Sequence, residues 1–444
     1  MDYKALAEQL VKSCTTKGAD AAEAFLEIGR RLSIDVRNGE LETIEEAAYQ
    51  GAGFRVFVKG RMAFSHCNDL REASLDAAIG RAIEFARQTT ADENNVLPTD
   101  KGVTPVEGLY DPSVAKVSMD RKIELAKAVE KAGMKDPRIT KSAGSGYAEF
   151  EGDIFIANSN GLSKTYKASN CSLGVSLVVE KGDQKASGGE YCSRRFFADL
   201  KSPEEIAKRA IERTTESLDP RMVKTQRAAV IFAPEVGPSI LGGILGAING
   251  ESVLQGASFL GGKMDQKIAS ALVTLIDDPT LPRGAGSEPF DGEGVPTEKR
   301  VLVDKGVLRG FLYNTIVGRR AGVKSTGNAS RRGFRSLPGI GPHNFYMAAG
   351  TSSQADIIKA TKVGLLLKGV TGYGINAVNG NYSGGAEGLW IENGQVVFPV
   401  KGLTIAGTAA EMLNGIDMVG SDLDLSRGTA TPAFRIAAMQ IGGE

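Results

Sequence analysis

Two turn glycines set the frame of the N-terminal half. Asn38-Gly39 and Lys59-Gly60 recur as Asn160-Gly161 and Lys181-Gly182, and both glycine pairs (39 to 161, 60 to 182) are separated by 122 residues. Asn-Gly is the strongest short signal for a β-hairpin, because both turn residues tolerate positive φ. Before the first pair, Leu6, Leu10 and Cys14 mark one face of a helix, and alternating segments run through Ala24 to Ile28 and Leu32 to Arg37. After it come strands over residues 53–58 and 62–64, then a helix marked by Leu75, Ile79 and Ile83. The second pair sits in the same order: a helix through Ile123, Ala126 and Val129, strands over 147–156 and 173–179, and a helix containing Arg209-Ala210-Ile211-Glu212, which echoes Arg81-Ala82-Ile83-Glu84. One offset held by two turns inside one order of elements implies an internal duplication. Strands in runs with helices at either end imply an α+β layer rather than βαβ alternation.

The expected organisation is an N-terminal α+β domain over residues 1–219, with copies at about 1–95 and 113–219, and a β-rich C-terminal domain over 220–444 with antiparallel sheets and a few helices. Residues 92–112, with Pro98, Pro105 and Pro112, read as the linker between the copies, and Gly144-Ser145-Gly146 as a turn before a strand. Beyond Asp219-Pro220 a strand is expected over 228–232, a helix over 238–248, and another from Ser352 or Ser353 through Ile357, Ile358 and Leu365. Leu389-Trp390-Ile391, Asn393-Gly394 and Val396-Val397-Phe398 form the last expected hairpin, with Trp390, the single tryptophan, in the core. The most informative stretch, residues 283–332, opens with a Gly-rich loop and continues through the acidic turn Asp291-Gly292-Glu293-Gly294. A hairpin follows around Asp304-Lys305-Gly306, then Ser325-Thr326-Gly327-Asn328, closed by Arg331 and Arg332. Hydroxyls, an amide and free backbone N–H groups beside guanidinium forks suit a loop that grips extended backbone or a carboxylate; tight turns alone would use the same residues.

Lys plus Arg and Asp plus Glu are 53 each, so no net field draws the chain to nucleic acid. No apolar run is long enough for a membrane span, and the first residues, MDYKALAEQL, lack the basic and apolar regions of a secretory signal. Cys14, Cys67, Cys171 and Cys192 show neither CxxC pairing nor zinc spacing and read as reduced, partly buried thiols, so the expected address is the cytoplasm.

Several motifs in order carry a family resemblance. DGEGVPT, the hairpin ending in GVLRGFL, STGNASRR, then NGNYS with GGAEGLWIENG, PVKGLTIAG and a late VGSD resemble the C-terminal domain of the TldD/PmbA family, also labelled modulators of DNA gyrase. KIASALVTLIDDPTLP fits as well; the likeness is strong over residues 230–422 and looser before them. The resemblance implies that catalytic members carry an HExxxH helix, with imidazoles on zinc and a glutamate activating bound water. Here the matching stretch is Ile244-Leu245-Gly246-Ala247-Ile248-Asn249-Gly250-Glu251, without ligands. The only histidines, His66 and His343, are far apart and read as surface or core imidazoles. The chain therefore resembles the PmbA (TldE) branch, which implies a subunit without its own zinc, paired with a zinc-bearing TldD-like partner that acts on unfolded or extended peptides.

On this reading Ser325, Thr326, Gly327 and Asn328 line a peptide groove with Asp291, Glu293 and Arg331 nearby, or the same residues brace loops at a subunit interface. No catalytic residue, metal ligand or cofactor is assigned. Two alternatives stand beside it. One is a homodimeric peptide-binding or scaffold protein; the other is a hydrolase with Mg²⁺ or Mn²⁺ on Asp277, Asp278, Asp291 and Glu293. No GxSxG elbow, P-loop or GxGxxG is present.

Overall fold

The computed structural model describes every residue of the 444 except Asp183 and Tyr373. The fold is mixed α+β. Helix α1 (Tyr3–Thr16) leads into β1 (Ala21–Arg37), β2 (Glu40–Val58), β3 (Arg61–Cys67) and α2 (Glu72–Gln88). The order then repeats as α3 (Met119–Gly133), β4 (Lys141–Asn158), β5 (Ser163–Lys181), β6 (Gln184–Arg194) and α4 (Pro203–Thr215). The six strands form one sheet in the order β3-β2-β1-β4-β5-β6, joined at its centre by the antiparallel β1–β4 pair. Asn38 and Gly39 have φ of 55° and 77°, and Lys59 and Gly60 50° and 74°, the left-handed values a two-residue hairpin turn requires. At the equivalent β4–β5 turn only Gly161 is left-handed, at 80°.

Side-chain alternation divides the sheet faces. Even-numbered residues of β1 and β2, among them Leu26, Ile34 and Phe54, pack under the four helices. Odd-numbered ones face the other way. At one end that opposite face carries the C-terminal domain, where Phe25, Ile156 and Leu162 meet Phe290 and Phe334. The segment between α2 and α3 runs along this seam: Thr104 donates its N–H to Pro289 O at 3.0 Å, and Asn158 donates to Pro98 O at 3.0 Å.

In the C-terminal domain β7 (Gln226–Phe232) pairs parallel with Val363–Thr371 and antiparallel with Phe434–Gly442. Asn381–Glu392 and Gln395–Thr408 continue the sheet, and Gln395–Thr408 also pairs with Phe434–Gly442, closing five strands into a ring that leaves few free edges. Helix α5 (Pro238–Ile248) packs into this domain's core, and Trp390 is buried there. Two sequence expectations change. Leu365 lies in the strand Val363–Thr371, because the helix stops at Lys359 and the apolar run Leu365-Leu366-Leu367 suits a strand buried on both faces. Gly144-Ser145-Gly146 lies inside β4, where Gly144 (φ 131°) sits at a register shift. Among the described residues no helix is long and apolar enough to cross a membrane, and all four cysteines are unpaired.

Leu26 is fully buried between sheet and helices, so Leu26→Ala should cost about 2–5 kcal/mol in urea unfolding. Leu41→Ala, on the exposed hairpin, should stay within about 0.5 kcal/mol.

Candidate functional site at the interdomain seam

Two charged residues interrupt otherwise apolar strands: Glu23 in AAEAFLEI and Arg55 in GFRVFV. They are directly opposite in the β1–β2 register, on the face that receives the C-terminal domain. Arg55 is 1% exposed and donates from Nη2 to Glu23 Oε2 at 2.7 Å and from Nη1 to Glu293 Oε1 at 2.6 Å. Arg331 completes the network by donating to the other oxygen of Glu23, while its Nε donates to Gly292 O at 2.5 Å. Its guanidinium lies over the Phe25 ring, 4.9 Å from the centroid. Two guanidiniums thus share Glu23 across the seam, and the acidic turn 291–294 is fixed to the sheet.

Burial opposes ionisation of Glu293, but the Arg55 guanidinium and the Thr315 N–H (2.8 Å) hold its carboxyl below the usual range. Burial penalises charge on Arg55 too, and Glu23 and Glu293 more than offset it, keeping it protonated. Among the described residues Asp291 forms no ion pair. Burial, then the Glu293 charge, push it up to about 7, against three N–H donors at 2.9 Å from Glu293, Val295 and Ala329. Lys164 and Arg195 also cross the seam to backbone carbonyls, reaching Gly294 O at 2.6 Å and Gly284 O at 2.7 Å.

Next to this network Asn328 is buried and donates to Asp277 Oδ2 at 2.7 Å. The same carboxylate lies 3.0 Å from His343 Nδ1, and Glu288 lies 3.2 Å from Nε2. Burial works against the imidazolium, yet the bonds to Asp277 and Glu288 raise its pKa to about 10. Ser325 and Thr326 are turned onto Tyr313, to whose carbonyl both hydroxyls donate, at 3.2 and 3.0 Å. Gly327 has φ 71°, and a Cβ there would stand 2.6 Å from Pro296 O. The structure thus gathers Asp291, Glu293 and Arg331 into one network and sets Asn328 beside it, while Ser325 and Thr326 fold against Tyr313. Asp291, Glu293 and Asn328 are at most 2% exposed, and their side chains engage partners within the chain. Sequence reading missed Glu23 and Arg55, whose signal was a charge inside an apolar strand, and the Asp277–His343–Glu288 chain, whose imidazole is distant in sequence from both carboxylates.

The stretch that resembles the HExxxH helix holds no histidine or cysteine. Ile244, Ala247 and Ile248 of α5 are fully buried. A Cβ at Gly243 would lie 2.2 Å from Ile375 O, one at Gly246 2.8 Å from Ala377, and one at Gly250 2.3 Å from the Tyr313 ring. A side chain at Gly243 or Gly250 would meet backbone carbonyls, one at Gly246 would meet only the Ala377 methyl, and Gly242 has open space beside it; Glu251 is exposed. The residues of this helix do not fit a zinc ion. Among the described residues Asp277, Asp278, Asp291 and Glu293 do not gather into a group that could hold a metal either.

Breaking the network is expected to be costly. Arg55→Met should destabilise the protein by about 3–5 kcal/mol in urea unfolding, because it leaves Glu293 buried without its cation and takes one of two guanidiniums from Glu23. Adding Glu293→Gln should cost less than the sum of the two single changes. His343 has a folded pKa above its ordinary 6.5, so the stability it contributes is complete below about 6.5 and is lost as pH rises through about 10. His343→Gln should therefore flatten the fall of Tm between pH 7 and 10.

Comparison with known proteins agrees over the whole length. The chain matches the PmbA/TldA metallopeptidase domain 1 over residues 22–86, the central domain over 112–218 and the C-terminal domain over 225–443. It is 31% identical over 433 residues to metalloprotease PmbA of Escherichia coli O157:H7, covering 96% of this chain and 93% of that one. Its fold superposes with TM-score 0.92 on a Bacteroides thetaiotaomicron protein proposed as a modulator of DNA gyrase, 29% identical with full coverage of both chains. TldE of Thermococcus kodakarensis gives a TM-score of 0.88 at 25% identity, covering 98% of this chain and 99% of the other. On this evidence the chain belongs to the PmbA/TldD metallopeptidase family.

Proposed function

We propose that this protein is the zinc-free subunit of a two-component TldD/TldE-type protease, presenting extended peptides while a zinc-bearing relative supplies the metal. The observation that carries this reading is the combination of a family fold kept along the whole chain with a stretch that resembles the HExxxH helix yet holds no histidine or cysteine. Loss of the metal site without loss of the surrounding architecture fits a chain retained for binding and assembly.

The sheet offers the means of holding a peptide. Pairing of β3 with β2 ends at Ala52, so residues 40–50 of β2 form an edge with unpaired backbone groups, a surface that extended chain of any sequence can join. In this reading Asp291, Glu293, Asn328 and Arg331, with Ser325 to Gly327, frame the wall of the groove by fixing the loops behind it. The cytoplasm is the proposed address, in keeping with the unpaired cysteines.

The reading is tested with unfolded casein as substrate. The purified chain and a purified zinc-bearing TldD-type relative should each be inactive, and their equimolar mixture should degrade casein and elute as one complex. Degradation by this chain alone, or a homodimer that ignores the relative, would overturn it.

A further inference from the structure

The odd-numbered face of β1 changes character halfway along. Glu23, Phe25 and Glu27 are covered by the C-terminal domain, whose loop at Gly333 and Phe334 marks the margin: Phe334 N–H donates to Glu27 Oε2 at 3.3 Å. The Phe334 ring can lie there only because Gly51 has no side chain, since a Cβ would come within 2.1 Å of the ring. Past that margin the same face opens into a cavity of about 820 Å³, and Arg31, Tyr49, Phe150, Asn170, Arg332 and Arg335 are among the residues around it.

Three guanidiniums line this cavity, and among the described residues none of them makes an ion pair. Arg31 stacks over Tyr49 and Phe150, 4.9 and 5.9 Å from the ring centroids, and Arg335 stacks over Phe334 at 5.1 Å. Only the backbone N–H of Arg332 is engaged, by Ser336 Oγ at 2.9 Å. Stacking fixes the planes of two forks while leaving their N–H edges available, which lowers the entropy lost when an anion binds. At the floor the Tyr49 hydroxyl, closed in by Gly29 and Gly152, is buried without a hydrogen bond of good geometry among the described residues, with Glu27 and Arg31 close enough to act on its ionisation.

The acids nearby set the size of the anion. Glu149 is buried and already holds Lys122 at 2.7 Å and Arg30 at 3.4 Å. Glu27 faces the loop backbone, and Glu45 stands on the exposed hairpin. Three guanidiniums against Glu27 and Glu45 leave an excess of about one positive charge, which matches a carboxylate and is too little for a phosphate-rich ligand. Glu45, Ala47 and Tyr49 belong to the free edge of β2, so a strand added there directs alternate side chains, or its own terminus, towards the arginines.

We infer that this cavity binds the carboxylate of an extended peptide held on the β2 edge, whether a C-terminal carboxylate or an Asp or Glu side chain. The inference rests on the peptide-presenting reading above and adds a chemical preference to it.

Fluorescence anisotropy with the full-length chain tests it, using one uncharged octapeptide labelled at its N-terminus in three forms: free C-terminal acid, C-terminal amide, and amide with one internal Glu. The acid should bind about tenfold more tightly than the amide. Arg332→Gln with Arg335→Gln should abolish that difference while leaving Tm and oligomeric state unchanged. If the internal-Glu amide matches the acid, the site accepts any carboxylate; if only the free acid gains, it reads chain ends. Equal binding of acid and amide by the unaltered chain would overturn the inference without any variant and would leave peptide presentation standing. Absence of all peptide binding would overturn both. A double variant that changes oligomeric state but not peptide affinity would assign the face to a subunit contact instead, against the inference. Casein degradation by the chain alone would defeat the zinc-free reading without touching the carboxylate preference.

Discussion

Arg55 sits without solvent between carboxylates contributed by the two halves of the chain, Glu23 and Glu293, and the rest of the architecture follows from that placement. Removing three charges from water costs several kcal/mol per ion, and only close, well-aligned contacts offset it. A displaced docking of the C-terminal domain would leave the charges buried and unmatched. The network therefore acts against alternative poses more than it adds net stability. Apolar contact supplies the attraction, through Phe25, Ile156 and Leu162 against Phe290 and Phe334. The ion network fixes the register, and Arg331 ties the loop 331–336 to the same anchor.

Rigidity at this seam has a functional consequence. The loop that Arg331 anchors continues directly into Arg332, Gly333, Phe334 and Arg335, which form one wall of the open cavity. The residues with conspicuous sequence motifs thus serve as foundations, and the surface left for a ligand belongs to their neighbours. Helix α5 tells a parallel story. Gly243 and Gly246 permit close approach of the Ile375 to Ala377 segment, and Gly250, just beyond the helix, permits that of Tyr313.

Much of the fold was legible because its determinants are local. Asn38-Gly39, Lys59-Gly60 and Asn393-Gly394 carry the positive φ values that hairpin turns require, and α5 keeps the bounds its pattern implied. Leu365 was misplaced because an apolar run after a helix reads equally as helix or as buried strand, and only pairing with β7 decides it. Gly144 looked like a turn because a glycine at a bulge carries the same local signal. In the site, Asp291, Glu293, Asn328 and Arg331 were legible as a polar, Gly-rich stretch closed by arginines. Their partners Glu23 and Arg55 lie more than 230 residues away in sequence from Glu293, a pairing that no local pattern encodes.

The account stands on the claim that this copy of the fold has no seat for a catalytic metal. Elemental analysis of the chain, expressed alone with zinc supplied and purified without chelator, addresses it most directly. The expected result is zinc far below one ion per chain, unchanged by Glu251→Gln. One tightly held zinc per chain that is lost with that substitution would contradict it.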